Sequence, residues 1–343
     1  MQQLRVGLVG YGMAGRDFHA PLMREVPGLR LTHVVTANDD RAAQAVEDEP
    51  RVRVVPTMAE LMAHSTSLDL VVIASPGNAH VENAQAAIDR GVAVVVDKPL
   101  AIDADSGRAV VASARERGVP ITVFQNRRWA PEHLTARAVL GSGVLGQLIR
   151  YEARYERWRP VPKARWREDL PTEEGGGLLM DLQPHLVDGA IDLFGPVRSV
   201  YAELEAVTTV GDDVSFVVLH HESGLRSHLS ATSLAAVPGP RTRLLGRDAA
   251  YLVASVDSEF TPYERWADPD EDHRGWLVRG EEADPVLRAP GRWSDFYRGV
   301  EAMLRDGAPP PVDPDEAVAV LEVLDAARRS AREGVVVDLS DRE

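Results

Sequence analysis

The chain has 343 residues, 44% of them hydrophobic and 27% charged, with a formal net charge of −15. That length holds two domains with core material for each, and the acidic field disfavours nucleic acid and anionic membranes as general partners. There is no cysteine, which rules out disulfides, thiolate metal sites and thiol nucleophiles.

In chain order, apolar runs at Leu4–Val9, Leu31–Val35, Leu68–Ala74, Val92–Val96 and Ile121–Phe124 read as strands. Between them lie Ala-rich helical segments such as Ala79–Arg90 and Asp105–Arg117, each followed by a capping glycine, Gly91 and Gly118. Continuous apolar strands alternating with helices predict a parallel sheet covered on both faces. Beyond residue 124 the pattern changes. Leu148–Arg159, Val197–Glu205, Val214–His221 and Leu225–Ser233 read as strands, the last two joined by a Glu222-Ser223-Gly224 hairpin turn. Asp313 and Pro314 open a final helix with an apolar stripe at Ala317, Val320, Leu321, Leu324 and Ala327, stopped by Gly334. The expected fold class is α/β: a Rossmann dinucleotide-binding domain over residues 1–123, then an α+β domain over 124–343 with a large open, mostly antiparallel sheet. No leader pattern precedes the first strand and no apolar stretch is long enough to span a bilayer. A cytoplasmic protein is expected.

Gly10-Tyr11-Gly12-Met13-Ala14-Gly15 fits G-x-G-x-x-G, directly after the first strand and at the opening of a helical segment. Gly10 permits the turn, Gly12 admits the pyrophosphate, and Gly15 lets helix and strand approach, while the helix N-terminus offers N–H groups to phosphate. An acid at the end of the second strand would bind a ribose 2′-hydroxyl. Thr36 stands there instead, and Arg41 follows it. A hydroxyl does not repel a 2′-phosphate, so the balance leans to NADP over NAD, with Asp39 and Asp40 pulling the other way.

Of the 38 basic residues, all but Lys98 and Lys163 are arginine. Lys163 sits in a polar stretch, but Lys98 directly follows the apolar run ending Val96-Asp97. An ammonium is a compact charge with three donors, unlike a planar guanidinium, so a rare lysine there reads as chemistry. A second block, Gly175 to Asp188, contains Asp181 and His185 four apart, on one face if the helix is continuous. Alcohol oxidation needs a base for the hydroxyl proton, and histidine titrates in the suitable range. On spacing alone, a satisfied helix histidine and a capping aspartate explain the block better.

The glycine loop, Ser75-Pro76-Gly77-Asn78-Ala79-His80, Asp97-Lys98-Pro99 and the Asp181…His185 block together resemble the Gfo/Idh/MocA oxidoreductase family, in order and over most of the chain. Gly15 to Leu22, and Phe124 to Trp129 with Arg165-Trp166-Arg167, resemble the branch containing NADP-dependent scyllo-inositol dehydrogenases. The resemblance implies hydride transfer between NAD(P) and a polyol, inositol or sugar. It implies that Lys98 holds the reacting oxygen, that His185 exchanges the proton, and that Asp181 orients substrate and biases His185. Ser75, Pro76, Asn78 and His80 would line the cofactor, with Asp97 holding Lys98. Trp166 and Arg167 would reach the cofactor from the second domain. Asn126 and Arg127 would serve nicotinamide or substrate, or else form an interdomain network. The open sheet would join subunits as a homodimer or homotetramer.

The chain departs from the family pattern at Asp97, which replaces the usual Glu, and at Gln183-Pro184. Pro184 should kink or restart the helix, and Gln183 is expected beside the substrate. Arg150, Arg154, Tyr155, Arg157 and Trp158 suit a hydroxylated ligand or form a charged sheet face. His220, His221 and His228 read as sheet-surface residues rather than a metal site, and Asp268–Asp272 as a solvated loop. No metal is expected. The competing functions are a non-catalytic NAD(P)-binding regulator, and a lyase or hydrolase that uses a held NAD for transient oxidation.

Overall fold

Nine of the fifteen strands described below lie in one sheet and six in another. The computed structural model describes residues 2–163, 166–254 and 264–339. The chain forms two compact units, one from residues 1–126 with 293–321, the other from 127–292 with 322–343.

The first unit is built on β1 (Leu4–Val9), β2 (Leu29–Val35), β3 (Arg53–Val55), β4 (Leu70–Ile73), β5 (Ala93–Asp97) and β6 (Ile121–Phe124). All six are parallel, in the order β3-β2-β1-β4-β5-β6. The connecting helices are α1 (Ala20–Arg24), α2 (Asp39–Asp48), α3 (Met58–Met62), α4 (His80–Ile88) and α5 (Ala104–Glu116). β4 and most of β5 are apolar at every position because both faces are covered, and Leu70 to Ile73 have no exposed surface. The strand order reverses between β1 and β4, so the loops after these two strands open on the crevice where such sheets bind ligands.

The second unit holds β7 (Leu148–Glu156), β8 (Val197–Glu205), β9 (Val214–His221), β10 (Arg226–Thr232), β11 (Thr242–Gly246), β12 (Ala250–Val253), β13 (His273–Arg279) and β14 (Glu282–Leu287). Its helices are α6 (Pro131–Gly141), α7 (Trp166–Asp169), α8 (Gly177–Asp181) and α9 (Gln183–Phe194). The sheet is antiparallel except where β10 runs parallel to β7. Strand alternation divides β7. Tyr151 packs on Phe194 of α9 with ring centroids 5.0 Å apart, so Tyr151, Ala153 and Tyr155 face the helices. Arg150, Glu152 and Arg154 face the other way, and both arginines pair with Glu152. They belong to a charged sheet face, not to the side that carries Tyr155.

After β14 come α10 (Ser294–Asp306), α11 (Pro314–Glu333) and β15 (Val337–Asp338), which pairs with β8. Asp313 caps α11 through the Asp315 N–H at 2.9 Å, as its sequence predicts. The α10 segment belongs to the first unit. Phe296 packs edge-on against Phe124 of β6 at 5.0 Å, and Thr122 bonds both polar atoms of the Val312 backbone. Apolar patterning revealed β1, β2 and β4–β6, and the β9–β10 hairpin forms as expected. His221 departs from the sheet-surface reading: it is buried, its ring nitrogens 2.9 Å from the Gly195 carbonyl and 2.8 Å from Ser227 Oγ. Among the described residues no helix is long and apolar enough to cross a membrane.

Thr122 Oγ1 donates to the Val312 carbonyl at 2.8 Å and accepts from its N–H at 3.2 Å, in a fully buried setting. Thr122→Val keeps the shape and strands both backbone groups. Chemical unfolding should show a loss of about 1–3 kcal/mol.

Candidate functional site

The loops at the carboxyl edge of the parallel sheet carry most of the expected cofactor residues. Gly10 has φ +96°, and a Cβ there would stand 2.6 Å from the Ala74 carbonyl oxygen, so only glycine lets this loop cross beside β4. A Cβ on Gly15 would strike the Gly10 carbonyl. At Gly12 the nearest neighbour to such an atom is the Arg41 guanidinium at 3.9 Å. Met13 is half exposed and Ala14 starts a wide π-type turn that runs to His19. This Cβ-free cradle, with backbone N–H groups at a helix start, fits a dinucleotide pyrophosphate.

Thr36 follows β2 and its hydroxyl accepts from the Asn38 N–H at 3.3 Å. Asn38 caps α2 by accepting from the Arg41 N–H at 2.9 Å, which fixes where Arg41 leaves the helix. The end of β2 therefore presents a hydroxyl, and the guanidinium of Arg41 lies toward the glycine loop.

After β4, Ser75, Pro76 and Asn78 form the turn into α4. His80 is buried, its Nδ1 2.8 Å from the Pro99 carbonyl and its Nε2 2.9 Å from the Ser75 carbonyl. Its ring braces two loops, where the sequence reading has it lining the cofactor.

Asp97 ends β5, and its Oδ1 accepts the Lys98 N–H at 2.8 Å. The Lys98–Pro99 peptide is cis. Across from Asp97 stands His19, with no exposed surface, its Nε2 3.8 Å from Asp97 Oδ1 and its Nδ1 2.5 Å from the Tyr297 hydroxyl. Burial works to raise the Asp97 pKa, but His19, Lys98 and His80 outweigh it and hold the carboxyl at about 2. Burial, reinforced by the Asp97 charge, pushes the Tyr297 phenol well up, so it stays protonated in its hydrogen bond with His19 Nδ1. Sequence pattern did not single out His19 or Tyr297, because 278 residues separate them.

The second unit carries the other expected residues. Helix α8 ends at Asp181 and α9 begins at Gln183, with Pro184 in its first turn. Pro184 restarts the helix as expected, and it also corrects the shared-face argument: Asp181 closes one helix and His185 opens the next. Arg167 of α7 lies 3.6 Å from Asp181 Oδ1. Arg165 lies outside the described residues, and of Trp166 only the backbone is described. Gln183 has no exposed surface, and its Nε2 donates to Ser215 Oγ at 2.9 Å. It pins α9 to the sheet, away from the expected place beside a substrate.

His185 does open on a cavity. With Tyr155, Arg127, Arg241, Glu132 and Thr242 it lines a partly open space of about 50 Å³. The Arg241 guanidinium lies 3.3 Å from the centre of the Tyr155 ring, a cation–π contact. Behind it, Arg128 makes a two-pronged contact with buried Asp188, 2.7 and 3.0 Å, and Asp192 gathers His133 at 2.5 Å and Arg137. Burial would raise the Asp192 pKa, but His133 and the two arginines hold it at about 2. Asn126 is buried at the end of the first unit's chain segment, and Arg127 opens the second. Among the described residues no group of three or more His, Asp or Glu side chains could hold a metal ion.

The parallel sheet with its glycine cradle and the mixed sheet that follows correspond to two family domains in succession. Residues 4–125 match the oxidoreductase family with an NAD-binding Rossmann fold, and residues 133–252 match the GFO/IDH/MocA C-terminal domain. The chain belongs to the Gfo/Idh/MocA oxidoreductase family. It is 33% identical to the uncharacterized oxidoreductase YdgJ of Escherichia coli (strain K12), over 96% of each chain. It is 29% identical to the NADP(+) scyllo-inositol 2-dehydrogenase IolW of Bacillus subtilis (strain 168), over 96% of this chain and 94% of that one. The solved structure of the YPO2259 protein of Yersinia pestis superposes with a TM-score of 0.87 at 31% identity, covering 100% and 99% of the two chains. As a member of this family the protein is an oxidoreductase with an NAD-binding Rossmann domain.

The glycine run before Asp181 has a structural partner that the sequence did not reveal. Asp212 is buried, accepts from Thr172 Oγ1 and the Leu179 N–H, each at 2.8 Å, and so ties the start of α8. Burial pushes its carboxyl up to about 6. A folded-state pKa above the unfolded value means stability present at low pH and lost as pH rises through about 6. Relative to Asp212→Asn, the parent should lose roughly 1–3 kcal/mol between about pH 4 and 7, read as diverging melting temperatures.

Proposed function

We propose that the protein transfers hydride between a nicotinamide dinucleotide, preferably NADP, and a secondary alcohol or ketone of a polyol, inositol or sugar. The observation that carries this reading is Lys98, held by Asp97 at the carboxyl end of β5, on the same sheet edge as the glycine cradle. The name of the relative IolW, an inositol dehydrogenase that uses NADP(+), supports the substrate class and the cofactor.

A bound nicotinamide would supply the hydride acceptor in oxidation and the hydride donor in reduction. Gly10, Gly12, Met13, Ala14 and Gly15 bind the pyrophosphate through backbone N–H groups. Ser75, Pro76 and Asn78 flank the cofactor, with Asn126 beside them. The Lys98 ammonium stabilises negative charge on the reacting oxygen, an effect that grows as water is excluded. His185 accepts the hydroxyl proton in oxidation and returns it in reduction. Asp181, steadied by Arg167, orients the substrate, and Arg127 and Tyr155 line the cavity on which His185 opens. Arg241 fixes the Tyr155 ring.

Thr36 and Arg41 support NADP. No carboxylate ends β2, and Arg41 offers a guanidinium beside Gly12 that can pair with a 2′-phosphate. We further propose a cytoplasmic homodimer or homotetramer joined through the helix-free face of the nine-stranded sheet, which bears Glu152 and its arginines.

The direct test mixes the enzyme with inositols, sugars and keto-polyols and follows reduced cofactor by absorbance. No turnover with NADP or NAD would sink the reading. Lys98→Arg preserves charge but replaces a compact donor with a planar fork, and kcat should fall on the order of a hundredfold or more; a parent-like rate would refute the role of Lys98. Arg41→Ala should lower kcat/KM for NADP about 10- to 100-fold, as expected for a lost charge-assisted bond, and leave NAD kinetics nearly unchanged.

A further inference from the structure

Helix α2 carries Arg41, yet little apolar burial holds it in place. It joins β2 to β3, the edge strand of the parallel sheet, and of its ten residues only Ala45 is buried. Polar contacts supply the rest of its seat. Asn38 caps its first turn by accepting from the Arg41 N–H at 2.9 Å. At its other end, Asp48 accepts from the Tyr11 hydroxyl at 2.9 Å through Oδ2 and from Gln44 Nε2 at 2.8 Å through Oδ1. Glu49, the next residue, pairs with Arg24 of α1 at 2.7 Å.

Tyr11 stands between Gly10 and Gly12 in the glycine loop, and it is 2% exposed. The glycine fingerprint leaves this position open, so the turn itself does not explain a buried phenol there. Burial and the bond to Asp48 push the phenol pKa up, and its O–H stays a donor. Arg41, Gln44 and Asp48 follow the i, i+3, i+7 spacing, which puts them on one stripe of α2. Both ends of that stripe meet the glycine loop. Asp48 meets it at Tyr11, and the Arg41 guanidinium lies 3.9 Å from where a Cβ on Gly12 would stand. Seven residues of helix separate these ends by about 10 Å, so a tilt at Asp48 is carried along a rigid element to the guanidinium.

We propose that Tyr11 is a positioning residue for cofactor choice: its hydroxyl holds the C-terminal turn of α2 against the glycine loop and so keeps Arg41 where it can pair with a ribose 2′-phosphate. This rests on the reading of Arg41 as the partner of that phosphate. A guanidinium grips a phosphate through paired, directional bonds, so its hold weakens when it is displaced. NAD carries a hydroxyl at the 2′ position and makes no such demand on Arg41. Loss of the Tyr11 hydroxyl is therefore felt by NADP and hardly by NAD. A residue that only shaped the glycine loop would affect both dinucleotides, because the loop serves the pyrophosphate that they share.

The test is calorimetric titration of the full-length protein with NADP and with NAD, which needs no substrate. Tyr11→Phe removes the hydroxyl and keeps the ring. It should weaken NADP binding about 3- to 10-fold, the scale of one lost hydrogen bond, and change NAD binding less than about twofold. Asp48→Ala removes the acceptor from the other side and should give the same shift. In an Arg41→Ala background, Tyr11→Phe should cost NADP nothing more, because both changes act through one contact. Equal loss for the two dinucleotides, no loss for NADP, or full additivity with Arg41→Ala would each overturn the role of Tyr11. If Arg41→Ala weakens NADP binding while Tyr11→Phe does not, only the role of Tyr11 fails. If Arg41→Ala itself spares NADP, the reading of Arg41 fails and the role of Tyr11 with it.

Discussion

A charge kept from water organises the carboxyl edge of the parallel sheet. Asp97 closes β5 as a carboxylate among apolar strands, and such a group persists only if its surroundings answer it. The Lys98 N–H, the His19 ring and the nearby His80 provide the answer, and they come from the loop after β5, the turn after the glycine cradle and the start of α4. Three loops that would otherwise be independent are thus referred to one carboxylate. Asp is a shorter acid than the Glu that the family resemblance leads one to expect. Here its reach suffices because the backbone N–H of its own neighbour binds Oδ1, and the His19 imidazole stands 3.8 Å from that oxygen.

The second unit solves a similar problem differently. Pro184 breaks what would be one helix, so Asp181 and His185 cannot owe their orientation to a shared helical face. Their placing is delegated to neighbours: Arg167 beside Asp181, Asp212 at the start of α8, Gln183 drawn down onto Ser215, and the Tyr155 ring tilted 6.2 Å from that of His185. The bonds of Asp212 to the Leu179 N–H and of Gln183 to Ser215 give α8 and α9 definite positions.

What the sequence made legible were local features with a strict physical signature. The glycine loop was readable because Gly10 tolerates no other residue, and β4 and β5 because strands covered on both faces are apolar throughout. Asp313 and Gly334 marked the ends of α11. The strands β11–β14 were not readable, since each runs only four to seven residues. Long-range partners were equally hidden. Nothing local to His19 announces Tyr297, nothing near Gly177 announces Asp212, and Gln183 looked like a ligand contact because its burial depends on strands far along the chain. Lys98 stood out by composition, but the contact of His80 with the carbonyl of the next residue, Pro99, was hidden.

The nucleotide-binding unit is discontinuous in the chain, and this bears on how it is made. A ribosome releases residues 1–126 long before 293–321. Until the late segment emerges, His19 lacks the Tyr297 hydroxyl, Phe124 lacks its cover from Phe296, and Thr122 has no backbone to hold. The early part of the unit must wait with an apolar flank bare, the condition in which nascent chains are most exposed to chaperones and to aggregation. Because the unit closes only after β7–β14 have been synthesised, a chain that stops short of residues 293–321 leaves the first unit without its late helix.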